Sequence, residues 1–363
     1  MKIETLDSWG FGSRRPMMIA GPCSAETEEQ LMDTCKQIKE VGINIARAGI
    51  WKPRTRPNNF EGVGHEALKW VQNVKKVTGL YFSIEVGNPQ HVEAALKHDI
   101  DMLWIGARST VNPFTVQEIA EALRGVDIPV LVKNPINPDL ALWMGAMERL
   151  WHVGITKIGA IHRGFSSFQK TSYRNLPMWR IPIDLKNQMP DVPLICDPSH
   201  ISGSRDHIFD VSQRAIDLDY DGLMIETHRD PDNAWSDSAQ QVTPTSLGNI
   251  LRNLKYRKPT SEDKEFITHL EELRHQIDHV DKELYEIIAQ RMDIVEEIGQ
   301  YKKRNNVTVF QKNRWKEISD SRRQWAEKLN LNPDFMAELF KVIHDASIKR
   351  QEAILNNPLD KSE

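Results

Sequence analysis

The chain has too few cysteines to be held together by them. Three, Cys23, Cys35 and Cys196, are scattered through 363 residues, which excludes a disulfide framework and leads us to expect a reducing, cytoplasmic setting. It lacks any apolar run of membrane-spanning length, and its first residues contain no apolar signal segment. It lacks an excess of positive charge: the formal net charge is −4, so no global field attracts nucleic acid. Nor does a glycine-rich dinucleotide turn follow the first apolar run, residues 17–20, which disfavours a doubly wound nucleotide-binding sheet.

What is present is a rhythm. Short apolar runs at 17–20, 43–48, 80–86, 102–105, 130–133, 157–161, 194–196 and 222–225 read as strands. Amphipathic stretches at 28–41, 64–77, 89–98, 116–124, 139–153 and 205–218 lie between them and read as helices. Eight strands in alternation with helices predict an α/β fold, a TIM (β/α)8 barrel over residues 1–258.

In such a barrel chemistry gathers at the C-terminal ends of the strands. Those ends carry Cys23, Arg47 with Lys52, Glu85, Arg108, Lys133, Arg163, Asp197 with His200, and Glu226. A surface with no function would spread such groups over both ends, so the pattern predicts one anion site with a metal beside it. The stretch Arg47 to Pro57 concentrates cations between two prolines. It is either a receptor for phosphate and carboxylate, which guanidinium forks bind bidentately, or a solvated basic turn. Cys23, His200, Glu226 and Asp237 form a sulfur, nitrogen and oxygen set suited to one divalent first-row metal. The set would accept manganese, iron, cobalt or zinc. Cys35 and Cys196 fall inside a helix and a strand and read as core.

The character changes after residue 258. From 261 to 304 there is no proline and one glycine, Gly299. Apolar residues at Phe266, Leu270, Leu273, Ile277, Val280, Leu284, Ile287, Ile294, Ile298 and Tyr301 alternate by four and three, the seam of a packed helix. Arg291 breaks the seam once. About 40 residues make a helix roughly 60 Å long, too long to bury its stripe on a barrel alone, so a partner helix is expected. Shorter helices are predicted at 311–329 and 333–355. Arg291 and Lys302 lie about 20° apart around the helix. Buried, the pair demands an anion; otherwise they are a snorkelling arginine and a solvated lysine.

Several motifs now carry a resemblance. Gly21-Pro22-Cys23-Ser24, Lys52-Pro53-Arg54-Thr55, Gly106-Ala107-Arg108, His162-Arg163-Gly164, Asp197-Pro198-Ser199-His200 and Ile225-Glu226-Thr227-His228 resemble the short, β-type 3-deoxy-D-arabino-heptulosonate 7-phosphate (DAHP) synthases over residues 15–255. Lys-Pro-Arg-Thr separates these from the related octulosonate 8-phosphate synthases, which carry Lys-Ala-Asn-Arg-Ser. The resemblance implies metal-dependent condensation of phosphoenolpyruvate with erythrose 4-phosphate. Arg47, Lys52, Arg108, Lys133 and Arg163 would bind phosphoenolpyruvate, and Arg54 with Thr55 the aldose phosphate. Lys52 would be a proton donor or a purely electrostatic group. Arg56 and Ala48 depart from the family pattern, which has Ser and Gly there. The chain starts only about 16 residues before the first strand, so the N-terminal regulatory domain of some relatives is expected to be absent.

Residues 262–355 are similar to the all-helical chorismate mutases, which are intertwined homodimers. That likeness places Arg274, Arg291, Lys302, Arg314, Ser347 and Gln351 around chorismate, with Lys302 and Gln351 on the breaking ether oxygen and Arg274 crossing to the partner's site. Gln311 and Trp315 stand where the family has Asp and Glu, which leaves open a tail that binds prephenate mainly as a sensor. The expectation is a bifunctional enzyme of aromatic amino-acid synthesis: a barrel over 1–258, and a mutase domain over 259–363 ending in a short disordered tail. Prephenate feedback on the barrel is expected. The alternative is an octulosonate-type synthase with a non-catalytic sensing tail.

Overall fold

Eight short runs of β-branched and aliphatic residues form a closed parallel barrel: β1 (Met17–Gly21), β2 (Ile45–Ala48), β3 (Tyr81–Val86), β4 (Met102–Ile105), β5 (Val130–Lys133), β6 (Ile158–His162), β7 (Leu194–Cys196) and β8 (Gly222–Glu226). This computed structural model describes residues 2–12, 15–52, 60–168, 171–258, 260–311 and 321–356. Neighbouring strands pair in sequence order and β8 closes on β1, with Met17 opposite Gly222 and Gly21 opposite Glu226. Nearly every strand residue is buried, as expected where helices cover one face and the barrel core the other.

Strand periodicity builds the site. Ile19, Ile45, Met102, Leu131, Ile161, Ile195 and Met224 form one interior cluster, closed off by Leu6, Trp9 and Phe11 from the N-terminal segment. Side chains alternate by two along a strand. Two positions on from that apolar layer come Arg47, Trp104, Lys133, Arg163, Asp197 and Glu226. The layer above the oil is therefore ionic.

The outer helices are α1 (Glu28–Glu40), α2 (His65–Thr78), α3 (Pro89–Lys97), α4 (Ala107–Thr110), α5 (Pro113–Ala122), α6 (Leu140–His152), α7 (Arg180–Gln188), α8 (Pro198–Ser202), α9 (Ile208–Asp217) and α10 (Pro244–Asn253). The helix expected at 116–124 begins earlier, because the Asn112 side chain caps it and Pro113 occupies its first turn. Four helices escaped the apolar pattern: α4 and α8 are too short to show a period, and α7 and α10 are mostly polar.

The chain divides into two compact units, Met1–Pro259 and Thr260–Glu363. In the second, α11 (Lys264–Arg304) runs 41 residues from an Asp263 cap, and α12 (Pro333–Asn356) packs against it. Residues 321–328 are helical; Gln311 is exposed and outside any helix. The predicted helix at 311–329 falls partly, and the predicted disordered tail mostly, outside the described residues.

Within one copy the seam of α11 does not pack on α12: Ile277, Val280, Ile287 and Ile294 remain 57–62% exposed. Val295 and Gly299 are buried instead. A Cβ on Gly299 would sit 2.9 Å from Ile354 Cδ1, so glycine permits the close approach. The α12 contact uses the stripe Arg291, Val295 and Gly299, leaving the seam uncovered within one copy.

Candidate active sites

The barrel's ionic layer surrounds a cleft of about 90 Å³ lined by Cys23, Arg47, Trp51, Lys52, Glu85, Trp104, Arg108, Lys133, Arg163, Arg174, His200 and Asp237. Arg47 is buried and its Nη2 lies 3.1 Å from Glu226 Oε1. Lys133 Nζ donates to Asp197 Oδ2 at 2.9 Å, and His200 Nδ1 lies 2.8 Å from the same oxygen. Trp104 floors the cup: Arg47 Cζ and Lys133 Nζ stand 5.1 and 5.7 Å from its ring centroid, and its Nε1–H donates to Glu85 at 3.0 Å. Arg163 donates from Nη1 to Asn175 Oδ1 at 2.7 Å. Burial, aided by the nearby cations Arg174 and Arg108, brings the Arg163 guanidinium down to about 10. It stays charged at neutral pH.

The four metal-ligand candidates stand as two pairs. Cys23 Sγ is 3.2 Å from Asp237 Oδ2, and His200 Nε2 is 3.8 Å from Glu226 Oε1. Among the described residues no three such donors form a cage. Lys52 accounts for part of this, since its Nζ donates to the Cys23 thiol and lies 3.9 Å from Asp237. Burial, with the Glu226 charge, pushes that thiol up to about 12. Burial opposes ionisation of Asp237 and Glu226 too, but Lys52, Arg174 and His200 hold Asp237 low, and His200 and Arg47 do the same for Glu226. Burial lowers His200, keeping its imidazole neutral, with Asp197 behind Nδ1 and Nε2 toward Glu226. A neutral imidazole backed by a carboxylate, two carboxylates and a thiol are donors that fit a first-row divalent cation.

The structure adds residues that sequence reasoning missed. Arg174 bridges Asp237 Oδ1 (3.0 Å) and Gln240 Oε1 (2.7 Å), while Gln240 Nε2 donates to Glu226 Oε2 at 2.6 Å. Asn175 holds Arg163 and donates to the His200 carbonyl at 2.6 Å. Arg174 and Asn175 lie in an irregular loop and Gln240 ends a single 3-10 turn, where no periodicity marks them. Trp104 was findable as an inward position two after Met102. Arg54 and Thr55 lie outside the described residues.

His162, beside Arg163, is buried between the Pro177 carbonyl (Nε2, 2.6 Å) and Tyr220 Oη (Nδ1, 3.0 Å). A carbonyl only accepts, so Nε2 carries the proton and Nδ1 accepts from the tyrosine. Burial, then the Arg163 charge, lowers this histidine to about 4. The unfolded chain takes its proton near 6.5, so the residue's contribution is complete above that pH and drains as pH falls toward 4, about 3 kcal/mol in all. Between pH 7.5 and 5.0 wild type should lose about 2 kcal/mol more of the barrel's urea stability than His162→Gln; equal losses would assign the acid sensitivity elsewhere.

In the helical unit Arg291 Nη1 donates to Ser347 Oγ at 2.7 Å, and Lys302 Nζ to the Val309 carbonyl at 2.5 Å. Burial lowers both cations. Ser347 and Gln351 are buried, and among the described residues Gln351 Oε1 has no donor. Arg274 is exposed and paired with Glu271; it lies seventeen residues from Arg291, about 25 Å along the helix. Arg314 and Trp315 lie outside the described residues.

Residues 7–260 match the model of the DAHP synthetase I family. The chain belongs to that family. Residues 273–352 match chorismate mutase type II, so the chain is a bifunctional enzyme of the shikimate pathway, an aldolase-type synthase followed by a mutase domain. Among curated relatives it is 29% identical to the phospho-2-dehydro-3-deoxyheptonate aldolase of Thermotoga maritima, over 66% of this chain and 68% of that one. It is 25% identical to the 2-dehydro-3-deoxyphosphooctonate aldolase of Syntrophotalea carbinolica, over 67% and 91%. The crystal structure of the Thermotoga maritima DAHP synthase superposes with a TM-score of 0.62 at 26% identity, covering 70% of this chain and 72% of that one.

Proposed function

We propose that the barrel joins phosphoenolpyruvate to erythrose 4-phosphate and that the helical domain rearranges chorismate to prephenate. The observation that carries the first reading is the ionic layer, with Arg47, Lys52, Lys133 and Arg163 around one cleft beside a neutral imidazole. Phosphoenolpyruvate brings a phosphate and a carboxylate, and a cationic, water-poor cup binds both. C3 of its enol attacks the aldehyde carbon, forming the C–C bond. Water then adds at C2 and the C2–O bond breaks, releasing phosphate. Lys52, with Nζ at the cleft wall, would supply the proton or the positive charge for the new alkoxide. Cys23, His200, Glu226 and Asp237 would hold the divalent metal, manganese by preference, whose Lewis acidity polarises the aldehyde when it is bound.

In the mutase domain Arg291, Lys302, Ser347 and Gln351 would mould the chorismate dianion into its reactive conformer, a reaction that needs no nucleophile. The uncovered α11 seam, a large apolar strip, supports a homodimer through this domain. Two activities on one chain support control of the first by the product of the second, prephenate. No helix among the described residues is long and apolar enough to cross a membrane. All three cysteines are free, in keeping with a reducing cytoplasm.

The test is phosphoenolpyruvate consumption with erythrose 4-phosphate, before and after chelation and manganese restoration, with and without prephenate. Metal-dependent turnover that prephenate suppresses is expected. Turnover with arabinose 5-phosphate instead would move the barrel to the octulosonate reaction. Unchanged rates with saturating prephenate would reduce the fusion to tethering.

A further inference from the structure

We propose that His344 is a proton-linked ligand group of the mutase site: neutral when the site is empty, protonated when a dicarboxylate is bound. This deepens the mutase reading above and rests on it.

The argument starts from α12. His344, Ser347 and Gln351 stand at helical positions i, i+3 and i+7, which line one face. Ser347 is the partner of Arg291, and Gln351 packs beside Gly299 and keeps an acceptor oxygen buried without a donor. His344 therefore lies one turn down the same stripe, on the face whose Ser347 holds Arg291.

The charged groups acting on it come from each neighbouring element. Arg291 and Lys302 reach it from α11, Arg322 from the helical segment 321–328, and Asp345 from α12 itself. Arg322 is held in place over the Phe340 ring, 4.5 Å from its centroid and one turn before His344. Among the described residues, Arg291, Arg322 and Lys302 work against an imidazolium and Asp345 works for it. Burial, with Arg291, Arg322 and Lys302 adding to it and Asp345 opposing, lowers the histidine from its ordinary value.

A dicarboxylate reverses that field. Two negative charges placed against Arg291 and Lys302 neutralise the cations and favour a charged imidazole. The proton comes from solvent, and the bound ligand gains a charged donor in place of a neutral one. Chorismate and prephenate share this chemistry. The sign follows from linkage: binding takes up a proton between the free and bound pKa, so affinity rises as pH falls. It rises about tenfold for each unit by which the ligand lifts the histidine.

The test uses the full-length protein, with prephenate as ligand, in titration calorimetry at pH 6.5 in two buffers of different ionisation heat. Wild type is expected to take up a substantial fraction of a proton per site, and His344→Gln close to none. From pH 8.0 to 6.0 the wild-type Kd should tighten by about three- to tenfold, and that of His344→Gln should stay flat. His344→Leu, which keeps the bulk without the proton, should behave like His344→Gln; a merely structural role would weaken binding at every pH alike. Binding without proton uptake in wild type overturns the proposal whether or not the variants fold. So does equal uptake in wild type and variant. Absence of prephenate binding at both pH values is a different result, and sinks the mutase reading itself.

Discussion

Replacing Lys52 with methionine is expected to lower DAHP formation by about a thousandfold and leave chorismate turnover unchanged. A thousandfold is about 4 kcal/mol of transition-state stabilisation, the size of one well-placed charge-assisted donor in a site shielded from water. Lys52 is placed for that task. Its Nζ contacts the Cys23 thiol and carbonyl and approaches Asp237, and its backbone N–H donates to the Glu61 carbonyl at 2.8 Å, closing the neck of its loop. Methionine keeps the stem and the packing, and a protonated Cys23 needs no cation beside it, so the fold should survive. Steady-state rates with saturating manganese read the effect, and Lys52→Arg divides the two roles. If arginine restores most of the rate, the residue acts by charge; if it does not, by proton delivery. A methionine variant within tenfold of wild type would make Lys52 a bystander.

The second large effect belongs to the other domain. Arg291→Ala should cut chorismate turnover by about a thousandfold while DAHP formation continues. The loss is one of chemistry rather than folding, because Ser347 Oγ still donates to the Ile343 carbonyl at 2.7 Å. Arg274→Ala should be similarly damaging, for a geometric reason. Some 25 Å up the helix, it cannot reach the Arg291 pocket of its own copy, whereas a second copy packed antiparallel along the exposed seam could bring it there. Co-expression tests this directly. Each variant alone is inactive, but a mixed dimer carries one site with both lesions and one intact. Random pairing should therefore recover about a quarter of wild-type mutase activity. No recovery, or an undamaged Arg274→Ala enzyme, would remove this arginine from the site.

How far the molecule was legible depended on the range of each signal. The strands were readable because alternation and β-branching are local, and β4, β5 and β7 fell on the expected residues. The boundaries of β1, β2, β3, β6 and β8 shifted by a residue or two, and α5 moved by three at its start, because capping overrode the apolar run. The cations of the cup were legible as strand-end residues. Their pairing was not: Arg47 with Glu226, and Lys133 with Asp197, join residues far apart in the chain. Nor was the contact of Lys52 with the Cys23 thiol, or the pairing of Cys23 with Asp237 and of His200 with Glu226.

By itself the sequence determined what periodicity and residue type can carry. It specified a parallel barrel with charged residues at the ends of its strands, a long heptad helix, and the cations proposed to bind anions in both domains. Tertiary structure alone decided which of those charges neutralise each other and which face of α11 receives α12. Period and polarity belong to neighbours along the chain, while a salt bridge or a helix contact depends on closing eight strands and on whether a residue such as Gly299 lets two backbones approach.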